Sequence, residues 1–338
     1  MIALALFVAC QSDGPADDPS DDTGAVEPAG PFVETLDPHV MHVLATSTPA
    51  PGDPGHAVTE LSVTLDVQWA VDLDPGAGTA GAVRFENGDT VYVRSSLPPN
   101  FVSALERVDA AGALVWSQDA FFSGALSFAH GVVLTPDGDY VIADPIVSRV
   151  FGVSEAGEVL WELPFRSDAG TWHPNGLDLQ TDAEGVTRIA LSELVAPDSR
   201  RGERVEVYRL GGRTDTPTLE WSFEGGVGTA ERLWPHGPRF MADGSVLVSW
   251  AALGQLARVE GGTEDWRVPE EPGVLAFPRD AVVLPDGSWL VADAAQEVLR
   301  VHDPLGAFEI VDAAYVPGVF GLTAVTCGSG GGLPCLQP

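Results

Sequence analysis

The sequence of 338 residues contains no lysine, so arginine supplies all 17 of its basic side chains, against 49 aspartates and glutamates. The formal charge of −32 repels the phosphate backbone of nucleic acids, and we therefore exclude nucleic acid as a partner. Beyond the N-terminus, no apolar run approaches the roughly 20 residues that a membrane span needs. Cysteine is scarce as well: three residues are too few for a disulfide-rich scaffold, and their spacing matches no zinc motif.

The first nine residues, MIALALFVA, are entirely apolar and end in a small residue directly before Cys10. They predict a signal peptide over 1–9, and the segment FVAC resembles the bacterial lipobox, in which the cysteine receives a lipid. Residues 10–31 are rich in acidic side chains and contain no basic one, so we expect an extended, disordered tether. The sequence thus predicts an exported protein that is held at the bacterial outer membrane or cell surface by its lipid anchor alone.

The other two cysteines lie in the C-terminal tail, 327–338, within the segment TCGSGGGLPC. The short glycine-rich loop between Cys327 and Cys335 allows them to reach disulfide geometry, and export would favour oxidation. Two free surface thiols are the alternative.

Five segments of the chain repeat one pattern, in which an apolar strand, a turn that ends in glycine and a second apolar strand follow one another. Such turns supply the positive φ that tight hairpins require. After each hairpin we expect two more strands, the last of which ends in an aromatic residue. The segments are AVRFENGDTVYV (82–93), GVVLTPDGDYVIAD (131–144), GLDLQTDAEGVTRIAL (176–191), GPRFMADGSVLVSW (237–250) and AVVLPDGSWLVAD (281–293).

A repeat of this length with four short strands is typical of a propeller blade and predicts an all-β fold. Five complete blades leave an unpaired inner strand at 319–325 and unpaired outer strands at 60–73. We therefore predict a six-bladed β-propeller over 60–326, whose sixth blade combines strands from both chain ends. Closing the ring in this way leaves no free sheet edge. For the N-terminal extension, 32–59, an extra strand of blade six and a remnant domain both remain open.

The inner strands of a propeller converge on a central channel, so equivalent positions at their starts form a ring at one rim. His173 lies two residues before one of these positions, so three of the seven histidines fall at or beside the ring. Counting back from the turn glycines selects Ala80, His130, Asn175, His236 and Arg279. Nearby aromatic residues are candidates for the wall of a ligand pocket: Phe128, Trp172, Trp234 and Phe277.

Three segments of the repeat resemble the aryl-sulfotransferase family, and the resemblance extends over residues 75–325. It implies an exported six-bladed propeller enzyme that moves a sulfuryl group between phenols without a nucleotide donor or other cofactor. It also implies that HPN (173–175) matches the family's His-x-Asn motif and that His236 is the histidine that becomes sulfated, whereas Glu193 stands where the family has arginine. The segments are AHGVVLTPDGDYVIAD (129–144), WHPNGLDLQTDAEGVTRIALSE (172–193) and WPHGPRFMADGSVLVSW (234–250).

Sulfuryl transfer by double displacement requires a nucleophile that is neutral near pH 7, as imidazole is. It also requires cationic groups or hydrogen-bond donors around the sulfuryl oxygens, and a proton donor for the leaving phenolate. We accordingly expect His236 to act as the nucleophile, His130 or His173 as the acid, and Arg279 to hold the oxygens. The expected partner is a small aromatic ligand or a sulfate ester, and we expect a monomer.

Two other classes of function remain open. A non-catalytic propeller would use the same channel mouth to bind a ligand or another protein. A lactonase-like hydrolase would hold a metal in the channel, for which Asn175 and Asp280 are loosely suitable. Calcium prefers several oxygen ligands, whereas the candidate ring offers mainly nitrogen, so the sequence assigns no metal ligands.

Overall fold

The structure, a computed structural model, describes residues 40–48, 56–72, 77–85, 87–96, 103–118, 120–121, 124–163, 172–195, 203–225, 233–271, 273–293, 297–327 and 335–336. The predicted signal peptide, the lipid acceptor Cys10 and the tether lie outside these residues and stay predictions. Apart from a 3-10 turn at Ala251–Leu253, the regular elements of the described chain are all β-strands. In these same ranges we find no helix with the length and hydrophobicity of a membrane span.

The described strands form six sheets around a ring, with one small additional hairpin. The chain starts in sheet six with β1 (Val40–Ser47), β2 (His56–Ser62) and β3 (Val67–Asp72). Sheet one follows with β4 (Ala77–Arg84), β5 (Thr90–Ser96), β6 (Ser103–Val108) and β7 (Leu114–Gln118). The hairpin consists of β8 (Ala120–Phe121) and β9 (Gly124–Ala125). Sheet two contains β10 (Gly131–Leu134), β11 (Tyr140–Asp144), β12 (Arg149–Val153) and β13 (Val159–Glu162).

The longest strands of the propeller belong to sheet three, which contains β14 (Trp172–Thr181), β15 (Thr187–Val195), β16 (Glu203–Leu210) and β17 (Thr218–Gly225). Sheet four contains β18 (Pro235–Phe240), β19 (Val246–Trp250), β20 (Gln255–Glu260) and β21 (Thr263–Val268). Sheet five contains β22 (Pro278–Val283), β23 (Trp289–Asp293), β24 (Glu297–His302) and β25 (Glu309–Tyr315). The chain returns to sheet six with β26 (Val319–Cys327) and β27 (Cys335–Leu336).

The predicted six-bladed all-β propeller is confirmed. Sheets one to five each have four strands in chain order, and all neighbouring strands are antiparallel. Sheet six has the order β27-β26-β1-β2-β3, so the C-terminal strand β26 pairs with the N-terminal strand β1 from Val40 opposite Thr326 to Ser47 opposite Val319. The ring is therefore closed by strands from both ends of the chain, as the unpaired strands in the sequence indicated.

The propeller begins earlier than the sequence boundary at residue 60. Strand β1 (Val40–Ser47) lies between β26 and β2 in sheet six, and residue 60 falls inside β2. The described part of the extension thus supplies strands to blade six, and the rest of residues 32–59 lies outside the described part of the chain. The sequence pattern did not reveal β1 because its segment VMHVLATS has no counterpart among the five repeated segments.

Hydrophobic residues fill all six interfaces between neighbouring sheets. Six buried clusters were found in the described chain, and each contains residues from two adjacent sheets. Aromatic residues of the outer strands help to fill the wedges: Trp161 of sheet two packs with Leu177 of sheet three, and Trp266 of sheet four stacks on Trp289 of sheet five. Because no single sheet can bury both of its apolar faces, closure of the ring stabilises every blade.

Glycines allow the inner strands to approach each other closely at the channel. Gly237 has a φ of 31°, and a Cβ atom there would lie 2.5 Å from the backbone oxygen of Arg279 and 2.5 Å from the Oδ1 atom of Asp280. We expect Gly237→Ala to lower the free energy of unfolding more than Gly138→Ala does, by about 1–3 kcal/mol, because the neighbouring backbone has no room to move. Gly138 is the matched control: its φ is 80°, and a Cβ would meet nothing within 4 Å.

Urea denaturation of the two variants measures this difference. The control carries only the strain of a left-handed backbone, about 1–2 kcal/mol. Equal losses in the two variants would show that the centre of the ring tolerates a side chain at Gly237.

The two C-terminal cysteines lie opposite each other in the strand register. Cys327 of β26 pairs with Cys335 of β27. Directly opposed residues of antiparallel strands have Cα atoms about 4.5–5.5 Å apart, which is within the range of a disulfide. The disulfide itself stays a prediction.

Candidate functional site

The starts of the six inner strands meet at one mouth of the central channel. There they line a small cavity of about 30 Å³. We call the six residues in equivalent positions the mouth ring; they are Ala80, His130, Asn175, His236, Arg279 and Phe320. The structure therefore brings together all five positions that the sequence selected by counting, and it adds Phe320.

Irregular strand pairing turns several of these side chains toward the channel. In sheet three, Pro174 pairs with Glu193 and Gly176 with Ser192, so Asn175 has no partner in the register. Arg279 in sheet five and Phe320 in sheet six occupy the same kind of bulge. Because a bulge inserts one extra residue, it redirects that residue's side chain.

Asn175 bridges the two histidines of the mouth ring. Its Oδ1 atom lies 2.8 Å from Nδ1 of His130, and its Nδ2 atom lies 2.8 Å from Nδ1 of His236. The Nδ2 group also donates a hydrogen bond of 2.8 Å to the backbone oxygen of Pro235. These three residues are at least nine-tenths buried.

These contacts fix which nitrogen of each ring carries the proton. The backbone oxygen of Pro235 only accepts, so the amide nitrogen of Asn175 must face it and Oδ1 must face His130. His130 therefore donates from Nδ1, which leaves the lone pair on its Nε2 atom. His236 accepts at Nδ1, so its proton is on Nε2. The Nε2 atom of His130 is buried and has no hydrogen-bond partner in the described part of the chain.

Both histidines are neutral at pH 7. Burial is the main cause that lowers the pKa of His130 to about 4, and the positive charge of Arg279 acts in the same direction. Burial likewise lowers the pKa of His236 well below its ordinary value, with Arg279 and His130 as further causes. The mouth thus combines a basic lone pair with an N–H donor, and neither ring carries a charge.

Aromatic rings surround the histidines and Arg279. The ring of Phe128 lies 4.7 Å from that of His130, and Phe277 lies 5.6 Å from His236, both edge to face. Phe320 contacts both imidazoles, at 5.0 Å from His130 and 6.1 Å from His236. The guanidinium of Arg279 lies 4.4 Å from the centre of the Phe320 ring and 5.4 Å from that of Phe277. This wall suits a flat or aromatic ligand that carries an anionic group.

The remaining candidates from the sequence lie at the periphery of the mouth. Nδ1 of His173 donates to the backbone oxygen of Pro145 at 2.9 Å, and its charge influences the pKa of His130. Trp234 packs against Phe277 at 5.8 Å. Trp172 lies in β14, but its side chain is outside the described part of the structure. Glu193 is buried in β15, opposite Pro174.

An ion-pair cluster below the mouth ring was not predicted from the sequence. Arg239 is bonded to the carboxylates of Asp280 and Asp178 and to the backbone oxygen of Leu322. Although burial alone would lower the pKa of Arg239, the two carboxylates raise it above its ordinary value. Asp280 also accepts a backbone hydrogen bond of 2.8 Å from Leu322. Arg239 and Asp280 of this cluster line the cavity, and their charges are paired there.

In the described ranges, nowhere do three or more His, Cys, Asp or Glu side chains converge as metal ligands would. Asn175 and Asp280, the two residues that the lactonase-like alternative would use, both line the cavity.

Comparison with known proteins supports the fold only. No protein-family model matches the sequence, and no curated protein matches it either. A protein of unknown function from Bacteroides caccae is similar in structure, with a TM-score of 0.54 and 15% identity over 83% of this chain and 97% of that one. A candidate 6-phosphogluconolactonase from Bacteroides fragilis has a TM-score of 0.53 and 11% identity, over 88% of this chain and 99% of that one.

A third similar structure is a catalytically inactive variant of virginiamycin B lyase from Staphylococcus aureus, solved with quinupristin. Its TM-score is 0.50 at 12% identity, over 88% of this chain and 92% of that one. At these identities the similarity establishes the propeller and does not carry function. The six-bladed fold implied by the aryl-sulfotransferase resemblance is thus confirmed, and the activity stays a prediction.

Proposed function

We propose that the channel mouth is an active site that transfers a group from an aryl ester to a phenol through His130, and that this group is a sulfuryl group. The observation that supports this most strongly is the Asn175 bridge, which leaves a buried lone pair on Nε2 of His130 and a proton on Nε2 of His236. A neutral imidazole with a free lone pair is a competent nucleophile at pH 7.

In the proposed first step, Nε2 of His130 attacks the sulfur of an aryl sulfate, an N–S bond forms and the sulfur–oxygen bond to the phenol breaks. The phenolate leaves with the electron pair of that bond, and the sulfated imidazole becomes cationic while its Nδ1–H stays bonded to Asn175. The departed phenolate takes up a proton from water. An acceptor phenol, which loses its proton to water, then attacks the sulfur as its phenolate, which breaks the N–S bond and restores neutral His130. Arg279 binds the sulfuryl oxygens, and the N–H of His236 stabilises the developing oxyanion.

This scheme exchanges the roles that the sequence suggested for the two histidines. His236 accepts a hydrogen bond at Nδ1 and carries its proton on Nε2, so the atom that faces the ligand has no lone pair. A neutral imidazole is also a poor acid, since loss of its remaining proton would leave an imidazolate. We therefore assign His236 as a hydrogen-bond donor, a role that a neutral histidine has in other enzymes.

Incubation with 4-nitrophenyl sulfate and a phenol acceptor tests the proposal. We expect release of 4-nitrophenol and formation of the sulfated acceptor, measured by absorbance and mass spectrometry. Release without acceptor transfer would indicate a hydrolase. No turnover, together with a ligand-induced rise in the melting temperature, would instead favour the non-catalytic binding propeller.

The pH dependence of this reaction follows from the lowered pKa of His130. Because only the neutral imidazole attacks, kcat/KM is expected to stay constant from pH 8 to about pH 5 and to fall near pH 4, where His130 gains a proton. An ordinary histidine would lose activity near pH 6.5. An acid limb at that higher pH would contradict a buried His130 nucleophile.

Stability must be recorded in the same experiment, because the lowered pKa values also affect folding. The unfolded chain gains protons on these two histidines below about pH 6.5, whereas the folded state gains them only at lower pH. Their contribution therefore lowers stability progressively as the pH falls from 6.5 through the folded pKa values. Circular dichroism at each pH separates this loss from protonation of the nucleophile.

A second candidate is the opening of a cyclic ester, which the names of two structural neighbours suggest. The lone pair of His130 would then remove a proton from the substrate, and the N–H of His236 would bind the carbonyl oxygen. Incubation with quinupristin distinguishes the possible outcomes by mass spectrometry: elimination opens the ring without a change in mass, whereas hydrolysis adds one water.

A further inference from the structure

Three buried carboxylates hold the chain segments that lead into the mouth ring. Asp144 accepts backbone hydrogen bonds from Ser127 at 2.7 Å and Phe128 at 3.2 Å. Asp293 accepts them from Ala276 at 2.8 Å and Phe277 at 2.7 Å. Glu203 accepts them from Leu233 at 2.6 Å and Trp234 at 2.8 Å. The three residues are exposed by only 0%, 4% and 5%, respectively. We call them the carboxylate clamps.

Each clamp holds an aromatic residue that lies two positions before a ring residue with a titratable or cationic side chain. The pairs are Phe128 and His130, Trp234 and His236, and Phe277 and Arg279. Two of the clamped aromatic residues touch side chains of the mouth ring: Phe128 packs on His130, and Phe277 packs on His236 and Arg279.

Trp234 shows how firmly a clamp acts on the backbone. It has a φ of 49°, a left-handed conformation that is strained for a large side chain. Such strain persists only where the surroundings fix it, and the two backbone hydrogen bonds to Glu203 supply this constraint. The conformation in turn places the indole against Phe277.

We infer that Asp144, Asp293 and Glu203 are positioning residues of the site: Asp144 sets Phe128 and Asp293 sets Phe277 against ring residues, and Glu203 sets Trp234 against Phe277. A buried charge is an expensive way to satisfy two backbone N–H groups when ordinary strand pairing is available. Its repeated use before the three charged or titratable ring positions points to the site rather than to the fold alone. This inference rests on the proposed function for its catalytic consequence, but its geometric part is independent of any reaction.

Asp144 has a second consequence for the site. Its Oδ1 atom also accepts a hydrogen bond of 3.2 Å from the backbone of Ile146, which fixes the turn after β11. The backbone oxygen of Pro145 in this turn accepts the hydrogen bond from His173. One carboxylate thereby holds both Phe128 and the acceptor for His173.

The test compares Asp144→Asn with Asp293→Asn by NMR of the imidazole nitrogens of the full chain. An asparagine offers one acceptor oxygen and places an amide donor against a backbone donor, so one of the two hydrogen bonds is lost. We expect Asp144→Asn to raise the pKa of His130 by about one unit, as water reaches the ring, and to leave His236 nearly unchanged. Asp293→Asn is expected to raise the pKa of His236 by about one unit and to leave the pKa of His130 nearly unchanged. General destabilisation would not produce this crossed pattern.

Phe128→Leu and Phe277→Leu keep the carboxylates and remove the rings, so they serve if the aspartate variants do not fold. Each is expected to shift the same histidine as its clamp variant, and to lower kcat by about 10- to 100-fold through misplacement of the ring residue. Unshifted histidine signals in all four variants, with only a lower melting temperature, would overturn the inference. The crossed pattern without any turnover by the unaltered protein would refute the proposed function and leave the positioning role intact.

Discussion

Replacement of His130 by alanine is expected to reduce the turnover of 4-nitrophenyl sulfate by at least about 10³-fold, because the variant has no nucleophile at the mouth. Nε2 of His130 is the buried atom whose lone pair Asn175 leaves available. The same change should abolish labelling: the unaltered protein, quenched during turnover, is expected to carry one sulfuryl group on His130 by peptide mass spectrometry, and the variant none.

His236→Gln is the informative comparison, because it removes the imidazole N–H but keeps a donor in the side chain. Loss of one well-placed donor to an oxyanion lowers kcat by about 10²- to 10³-fold, so its effect is expected to be smaller than that of His130→Ala. His302, which is exposed on β24, provides the control, and His302→Ala is expected to retain the full rate. A fully active His130→Ala protein, or a sulfuryl group found on His236, would restore the assignment made from the sequence.

The sequence predicted the fold well because the propeller repeats its local signals. Turn glycines such as Gly138 and Gly244 have φ values of 80° and 84°, and each lies eight residues after the ring position of its blade. Counting back from them reached His130 and His236, since equivalent strands of a symmetric ring end at the same rim. Because the fold is radially symmetric, equal spacings in the sequence place residues at equivalent positions around the ring.

Phe320 was missed for a topological reason. The hairpin partner of its strand is β1, which comes from the other end of the chain, so no turn glycine follows Phe320 from which to count. A different signal was available: the mouth-ring residue is followed by glycine in five of the six inner strands, including Phe320-Gly321. The exception is Arg279-Asp280, and Asp280 there holds the ion pair with Arg239.

The protonation pattern of the site was beyond reach of the sequence. It depends on the orientation of the Asn175 amide, which the backbone oxygen of Pro235, 60 residues away, determines. Among the carboxylate clamps, Glu203 has the same character, since it reaches from sheet three to Trp234 at the start of sheet four across 31 residues. Asp144 and Asp293 instead act within their own blades. Contacts between blades depend on how the blades pack, and a repeat pattern within each blade does not predict them.

Conversion of Asn175 to aspartate is expected to move the acid limb of the pH profile upward by about 1–3 units, because a carboxylate favours protonated imidazoles on both sides. In the variant, an oxygen replaces the amide nitrogen that now faces Nδ1 of His236 and the backbone oxygen of Pro235. The repulsion between this oxygen and the lone pair on Nδ1 of His236 is removed when His236 gains a proton on Nδ1. The added negative charge also raises the pKa of His130, whose protonated Nε2 no longer attacks. At pH 6 we expect kcat/KM to fall by up to about 10-fold, the result of a pKa raised to about 7, and to recover above pH 8.

Asn175→Leu separates this electrostatic effect from simple loss of the bridge. Leucine has a similar size but no hydrogen bonds, so both imidazoles lose their fixed tautomers while burial keeps their pKa values low. Activity should then decrease at every pH, and the acid limb should stay where the unaltered protein has it. If the aspartate variant also kept its acid limb near pH 4, the amide of Asn175 would not control protonation at the mouth. The assignment of the lone pair to His130 would then lose its basis, because that assignment depends on the amide alone.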